Sequence, residues 1–391
     1  MERIAIVGAG LAGLNAAQEF RRLGHDGELV MIGAEPYRPY RRPPLSKEYL
    51  VGKDVDLELP GADETAATWL LGQPATGLDL AVRRVLRGPA DPVHFDHLVI
   101  ATGVRARTLP EVRPMPGMIT LRGLNDTLAL RTALDRASRV VVAGAGFVGS
   151  EVAASLRALD VPVTLVEPDA VPLRRPLGDQ VGALVADLHR AHGVDLRLGR
   201  WVKAVSGAGK VERVLLDDGT VIPADVLVVA LGAQPEVEWL RDSGLLLDGG
   251  VVVGDDGLAA AGVAAAGDVA CWPHPLLGGR LIRVEHYTNA VEQGSYAARA
   301  VLGVTEGFAP VPSFWCHLYD RRLQSVGFTG TGYDVSVVSS QPDGRFLVEY
   351  RDADRVVGAV TAGHIRELPR YRAMIAAQYA TPNRLTGITG S

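Results

Sequence analysis

The sequence predicts an α/β chain: two parallel-sheet units of the Rossmann type, followed by a smaller α+β unit. Three observations predict it. A strand, a Gly-rich turn, a helix and a second strand open the chain, and the same order recurs near residue 140. After about residue 308 the pattern changes to short alternating apolar runs. Apolar β-rich runs that alternate with helix-period segments point to parallel strands joined by helices. Each of the two early units is a control for the other.

In the first unit the pattern predicts a strand over Arg3–Val7, a helix from Leu11 to about Leu23, and a strand over Glu28–Ile32. The turn between strand and helix is Gly8-Ala9-Gly10-Leu11-Ala12-Gly13. In such a turn the first glycine permits the tight bend and the second lets a pyrophosphate approach the backbone. The third lets helix and strand pack closely, while the helix N-terminus supplies N–H donors and positive potential. A tight βα turn that binds nothing is the alternative, but the strand before it and the helix after it are the context the motif requires. Tyr37–Lys53 is rich in Pro and Arg and is expected to be mostly loop. A strand over Asp96–Ile100 then leads into Ala101-Thr102-Gly103.

The second unit repeats the order with strand Val140–Ala143, turn Gly144-Ala145-Gly146-Phe147-Val148-Gly149, helix Ser150–Leu159 and strand Val163–Val166. Glu167 follows, at the spacing of an acid that binds both ribose hydroxyls of an adenosine. A carboxylate there repels a 2′-phosphate, which favours NADH over NADPH; Arg174 and Arg175 nearby weaken the preference. In the first unit the acid comes later, at Glu35, which is either a ribose ligand or a solvated loop carboxylate. A strand over Val226–Ala230 leads into Leu231-Gly232, and a short buried strand from Val263 ends at Gly267-Asp268. Beyond Phe308, antiparallel strands are expected over Phe314–Gln324, Asp334–Ser339, Arg345–Tyr350 and Val356–Thr361, then a helix near Glu367–Gln378. The implied domains are 1–110 with 233–307, 111–232, and 308–391.

Composition narrows the function. The 391 residues are 47% hydrophobic and 22% charged, with a net charge of −5. That balance gives no bulk attraction for nucleic acid or an anionic membrane. No apolar run reaches membrane-spanning length and the first strand starts almost at Met1, so a cytoplasmic location without a signal peptide is expected. The two cysteines, Cys271 and Cys316, form no CxxC or CxxxxC pair. A local redox dithiol and a cysteine-held zinc or iron–sulfur site are thereby excluded, so redox chemistry here needs an organic cofactor.

Several stretches together resemble the NADH-dependent ferredoxin reductases coupled to oxygenases, a glutathione-reductase-like group related to rubredoxin reductases and apoptosis-inducing factor. They are Arg42-Pro43-Pro44-Leu45-Ser46-Lys47, Ala101-Thr102-Gly103, Gly146-Phe147-Val148-Gly149-Ser150-Glu151, Gly267-Asp268 and Arg283-Val284-Glu285-His286-Tyr287. The resemblance covers essentially the whole chain. It implies FAD in the first unit, NADH in the second, a two-iron two-sulfur ferredoxin as acceptor and, indirectly, an oxygenase. No metal site in the chain itself is implied.

Under that resemblance each residue has two readings. Arg42 and Lys47 set cations against the FAD pyrophosphate and flavin edge, or belong to a solvated basic loop. Asp268 accepts from a ribityl hydroxyl, or caps a helix. Glu285, His286 and Tyr287 precede a helix starting near Asn289, whose N–H groups face the pyrimidine end of the flavin; His286 is given no proton role. Arg122 is an FAD contact or a surface residue. Glu151 orients the nicotinamide over the flavin, or merely complements a helix dipole. An acidic ferredoxin calls for a basic patch, with Arg321, Arg322, Arg366, Arg370 and Arg372 as candidates. The family's aromatic-Trp-Ser-Asp-Gln-Tyr stretch reads Phe314-Trp315-Cys316-His317-Leu318-Tyr319 here. Two alternatives stand beside this reading. One is an NADH oxidase or peroxidase, which commonly carries a cysteine where Pro44 to Lys47 stand. The other is a redox-sensing interaction protein similar to apoptosis-inducing factor.

Overall fold

The computed structural model describes residues 2–304 and 307–378. The first sheet has the order Leu258–Ala260, Val263–Ala265, His97–Ile100, Arg3–Val7, Glu28–Ile32, Thr68–Leu70. Val7 pairs in parallel with both Ile32 and Ile100, so the three central strands finish at one edge. Both faces are covered, which is why the strands read as unbroken apolar runs. Ile4 and Ile6 pack beneath the helices Leu11–Arg22 and Tyr287–Val301, while Ala5 and Val7 face a second cluster containing Leu98's neighbour Ile100 and Trp272. The two helices nearly touch. A Cβ at Gly294 would lie 2.3 Å from the Ala12 carbonyl oxygen, so only glycine permits this crossing.

The second sheet is wholly parallel, in the order Asp195–Leu198, Val163–Glu167, Val140–Ala143, Val226–Val229, Met118–Thr120. The helix after its Gly-rich turn runs Phe147–Ala158 and therefore begins three residues before the expected Ser150. Residues 147–149 of the Gly-rich turn already belong to the helix, with Gly146 as its N-cap. The chain passes from the first sheet to the second and back through an antiparallel pair, Val104–Ala106 against Ala233–Pro235.

The third sheet is antiparallel: Ser313–Leu318, Arg321–Gly327, Arg355–Ala362, Phe346–Asp352, Asp334–Ser340. The single strand expected over Phe314–Gln324 is a hairpin. Its turn holds Tyr319 at φ 57, a left-handed conformation that no glycine or asparagine announces. The helix Leu368–Ala377 covers one face of the sheet. The helix Arg174–Ala191, which sequence patterning missed, covers the other through Leu177, Val181 and Val185. The end of the expected third domain, residues 379–391, lies outside the described residues.

Candidate active site

Both Gly-rich turns have the shape a pyrophosphate needs. A Cβ at Gly8 would fall 2.0 Å from the Ala101 carbonyl oxygen, and one at Gly13 2.0 Å from that of Gly8. Gly144 and Gly149 are equally closed, at 2.4 Å from the Ala230 oxygen and 1.9 Å from the Gly144 oxygen. At Gly10 and Gly146, by contrast, a Cβ would meet nothing within 4 Å. Those two positions open onto the space in front of a helix N-terminus, where a side chain would occupy the place of the phosphates. Leu11 and Phe147 are the first residues of the two helices, followed by Ala12 and the half-exposed Val148. Gly232, at φ +86, leaves the mouth of the second crevice equally clear.

Around the first cradle the basic loop is a fixed structure. Pro43–Ser46 forms one 3-10 turn, with two prolines pre-set for its first positions. Arg42 bonds to Glu35 and donates to the Arg122 carbonyl at 3.0 Å, so it is no solvated loop residue. Glu35 also accepts from the Tyr40 hydroxyl at 2.6 Å. Burial pushes its carboxyl up, but Arg42 and Tyr40 outweigh that and hold it below its ordinary value. The loop-carboxylate alternative for Glu35 is thus replaced by a paired acid.

Arg122 donates to Asp268 at 2.9 Å, which removes the reading of Arg122 as an isolated surface residue. Asp268 caps no helix: it lies inside the 3-10 turn Gly267–Val269, whose N-cap is Ala266. Its backbone oxygen accepts from Arg283 at 2.9 Å, and Arg283 also holds Glu285 at 2.6 Å. The helix after this segment begins at Tyr287 rather than near Asn289, with His286 as N-cap. Its free N–H groups therefore begin at His286 and Tyr287, directly after Glu285. Burial pushes the His286 imidazole down to about 4, so at neutral pH it carries no charge. The Tyr287 ring lies 5.7 Å from that of Trp315. Ala101 receives the turn through its carbonyl, Thr102 donates to the Glu236 carbonyl at 2.8 Å, and a Cβ at Gly103 would stand 3.7 Å from Arg122.

The two cradles are linked by a buried ion pair. Lys47 Nζ lies 2.6 Å from Glu151 Oε2, with side-chain exposures of 12% and 7%. The Ser46 hydroxyl donates to the same oxygen at 2.6 Å, and the His317 backbone N–H donates to Oε1 at 3.1 Å. One carboxylate thus gathers the 42–47 loop, the second-unit helix and the third-sheet hairpin. The Lys47 ammonium is thus paired at the junction of the two cradles. Glu151 in turn does more than complement a helix dipole. Sequence reasoning missed Ser46, Ser155, which donates to the Ser46 carbonyl at 2.7 Å, and the His317 N–H. Ser46 lay within the quoted Arg-Pro-Pro-Leu-Ser-Lys stretch; a backbone N–H has no sequence signal.

Glu167 stands at the second cradle, accepting from the Ala145 N–H at 2.6 Å and the Asp169 N–H at 2.9 Å. Burial raises its carboxyl pKa, against the pull of those two bonds. The two cations that weakened the NADH preference stand beside this acid: Arg174 pairs with Asp179 at 2.7 Å, and the exposed Arg175 pairs with Asp169 at 3.4 Å and also acts on the Glu167 carboxyl. On the third sheet the Arg322 guanidinium lies 5.6 Å from the Trp315 ring centroid. Arg321 pairs with Asp320, and Arg366, Arg370 and Arg372 are exposed on the separate C-terminal turn and helix. Cys271 and Cys316 are buried and free. Among the described residues no cluster could hold a metal ion, and no helix is long and apolar enough to cross a membrane.

Two dinucleotide cradles opening toward one ion pair, without a dithiol between them, define a flavoprotein oxidoreductase that uses FAD and NAD(H). The chain belongs to the pyridine nucleotide-disulphide oxidoreductase family, which residues 2–294 match; residues 313–386 match the reductase C-terminal domain. It is 35% identical to rhodocoxin reductase of Rhodococcus erythropolis over 386 residues, covering 96% of this chain and 90% of that protein. It is 33% identical to putidaredoxin reductase of Pseudomonas putida, covering 99% and 94%. A ferredoxin–NAD(+) reductase subunit of a benzene 1,2-dioxygenase system, also of Pseudomonas putida, is 36% identical over 83% of this chain and 80% of its own length. The reductase in the covalent putidaredoxin reductase–putidaredoxin complex superposes with a TM-score of 0.91 at 32% identity, covering 96% of this chain and 93% of that one.

Proposed function

We propose that this protein is an FAD-dependent NADH:ferredoxin reductase that supplies a two-iron two-sulfur ferredoxin and, through it, an oxygenase. The observation that carries the reading is the Lys47–Glu151 pair, which ties the crevice of one nucleotide to that of the other. FAD, when bound, converts the two-electron equivalent of NADH into single electrons that an iron–sulfur cluster can accept. The residues of the chain bind, orient and set charge. Gly8, Gly10 and Gly13 with the helix at Leu11 hold the FAD pyrophosphate, and Glu35 and Arg42 hold its adenosine side. Ala101 to Gly103 and Asp268 with Arg122 hold its ribityl chain. The N–H groups at Glu285, His286 and Tyr287 face the pyrimidine edge, where a helix dipole favours negative charge.

In the second cradle Gly144, Gly146 and Gly149, at the start of the helix Phe147–Ala158, take the NADH pyrophosphate. Glu167 takes its adenosine ribose. Each carboxylate oxygen has two acceptor sites. Glu151 Oε2 accepts from Ser46 and Lys47 and Oε1 from the His317 N–H, and the Cys316 thiol also bonds to this carboxylate. Glu151 would hold the nicotinamide carboxamide and so orient the ring for hydride transfer. Trp315 and Arg322 mark the face where an acidic ferredoxin docks. The domain limits 1–110 with 233–307, 111–232 and 308–391, and a cytoplasmic location, accompany this reading.

The test is NADH-driven reduction of cytochrome c by the FAD-loaded protein, with and without a two-iron ferredoxin. Turnover that depends on ferredoxin supports the reading. Oxygen consumption of equal rate without ferredoxin overturns it.

A further inference from the structure

Apart from both cradles, a cavity of about 260 Å³ lies between the strand Val263–Ala265, the helix Tyr287–Val301 and the segment 272–279. Its walls are aromatic. Tyr296 and Phe308 stack at 4.8 Å with an interplanar angle of 28°, and Trp272 meets Phe308 at 5.5 Å. Asp255 and Gly279 stand exposed at its rim. None of the residues assigned above to FAD or NADH lines it.

A buried amide side chain, Gln293, lines this cavity. Gln293 is 2% exposed. Its Oε1 accepts from the Gly267 N–H at 2.9 Å and from Asn289 Nδ2 at 3.2 Å. Two donors on one atom fix which end of the amide is oxygen. Nε2 is left as the end that faces the cavity, and among the described residues nothing accepts from it. Trp272, in the same wall, adds an indole N–H that has no partner among the described residues.

We propose that this cavity is a binding site for a small planar aromatic molecule with one hydrogen-bond acceptor, such as an aryl ketone. The volume suits it: engineered apolar cavities of roughly 150 Å³ accept benzene, and drug-sized sites start near 300 Å³. The stacked walls prefer a planar ring, whose faces and edges complement theirs. The Gln293 amide orients the ring by donating to its carbonyl. Because the same amide holds Gly267, beside the Asp268–Arg122 pair, occupancy is felt one hydrogen bond away from the flavin side of the site.

The experiment uses the purified FAD-loaded chain with NAD+ in excess, so that the nicotinamide crevice is filled. Binding of acetophenone, cumene and cyclohexyl methyl ketone is measured by calorimetry and saturation-transfer NMR. Acetophenone is expected to bind saturably, and cumene, which lacks the acceptor, about threefold to tenfold more weakly, as one hydrogen bond dictates. Gln293→Met abolishes that difference between the two, and Phe308→Ala weakens both aromatic ligands. Phe308→Ala leaves the Gly267 contact untouched, so it keeps the test valid where Gln293→Met impairs folding. Absence of saturable acetophenone binding, or equal binding of the cyclohexyl ketone, overturns the proposal. The turnover assay proposed above is unaffected by any of these outcomes.

Discussion

Replacing Glu151 by alanine tests the junction on which the proposed chemistry rests. The substitution strands three donors: Lys47 Nζ, the Ser46 hydroxyl and the His317 N–H. Lys47 is the most costly, since its side chain is 12% exposed and loses its counter-charge. Removing one partner of a buried pair costs about 3–5 kcal/mol, and a stranded neutral donor about 1–3 kcal/mol. These effects overlap, because one carboxylate serves all three donors and water can enter the space it leaves. A loss of about 3–5 kcal/mol is therefore expected, rather than the sum. Urea unfolding at fixed free FAD, followed by tryptophan fluorescence, measures it. Glu151→Leu with Lys47→Met removes both charges and is expected to recover a good part of the loss. If the single variant loses less than about 1 kcal/mol, or the double variant loses more than the single, the buried-pair argument is wrong.

Further outcomes follow from the same geometry. Gly10→Ala is expected to fold and lose FAD, because its Cβ meets open space, whereas Gly8→Ala is expected not to fold, its Cβ lying 2.0 Å from the Ala101 oxygen; the flavin absorbance and circular dichroism of the two variants separate the cases. Glu167→Gln removes the charge facing a 2′-phosphate and is expected to narrow the preference for NADH over NADPH by about tenfold, read from kcat/KM for each, with no change in ratio refuting the assignment. Arg322→Glu is expected to raise KM for a two-iron ferredoxin and to leave NADH-driven ferricyanide reduction unchanged. Burial holds the fully buried His189 imidazole down at about 4 against an ordinary 6.5. The unfolded chain then binds the extra proton between those values, so stability is complete above pH 6.5 and falls as pH drops toward 4, by about 3 kcal/mol for this residue. His286 adds a loss of the same sign, while Glu19, held down to about 2 mainly by Arg22, acts only below pH 4.5. Urea midpoints across pH 4–7 check the sign, and His189→Gln is expected to flatten the slope.

By itself the sequence determined both nucleotide units, because their signals are local. Gly8, Gly10 and Gly13, and their counterparts Gly144, Gly146 and Gly149, are read within six residues, and the strands that feed them are apolar throughout because both faces are buried. Glu167 was legible for the same reason, as it lies at a fixed distance from its own turn. The hairpin at Tyr319 was not legible: the alternation continues through the turn, and the left-handed residue there is a tyrosine. Nor was the helix Arg174–Ala191, interrupted at Gly178 and covering a sheet more than a hundred residues away. Only the tertiary structure decided what the charged groups do. Glu35 meets Arg42, Arg122 meets Asp268 across 146 residues, and Lys47 meets Glu151 across 104. A lone charge in a sequence has many candidate partners, and the fold selects one of them; at Lys47–Glu151 burial adds that an unpaired ion there is too costly to leave.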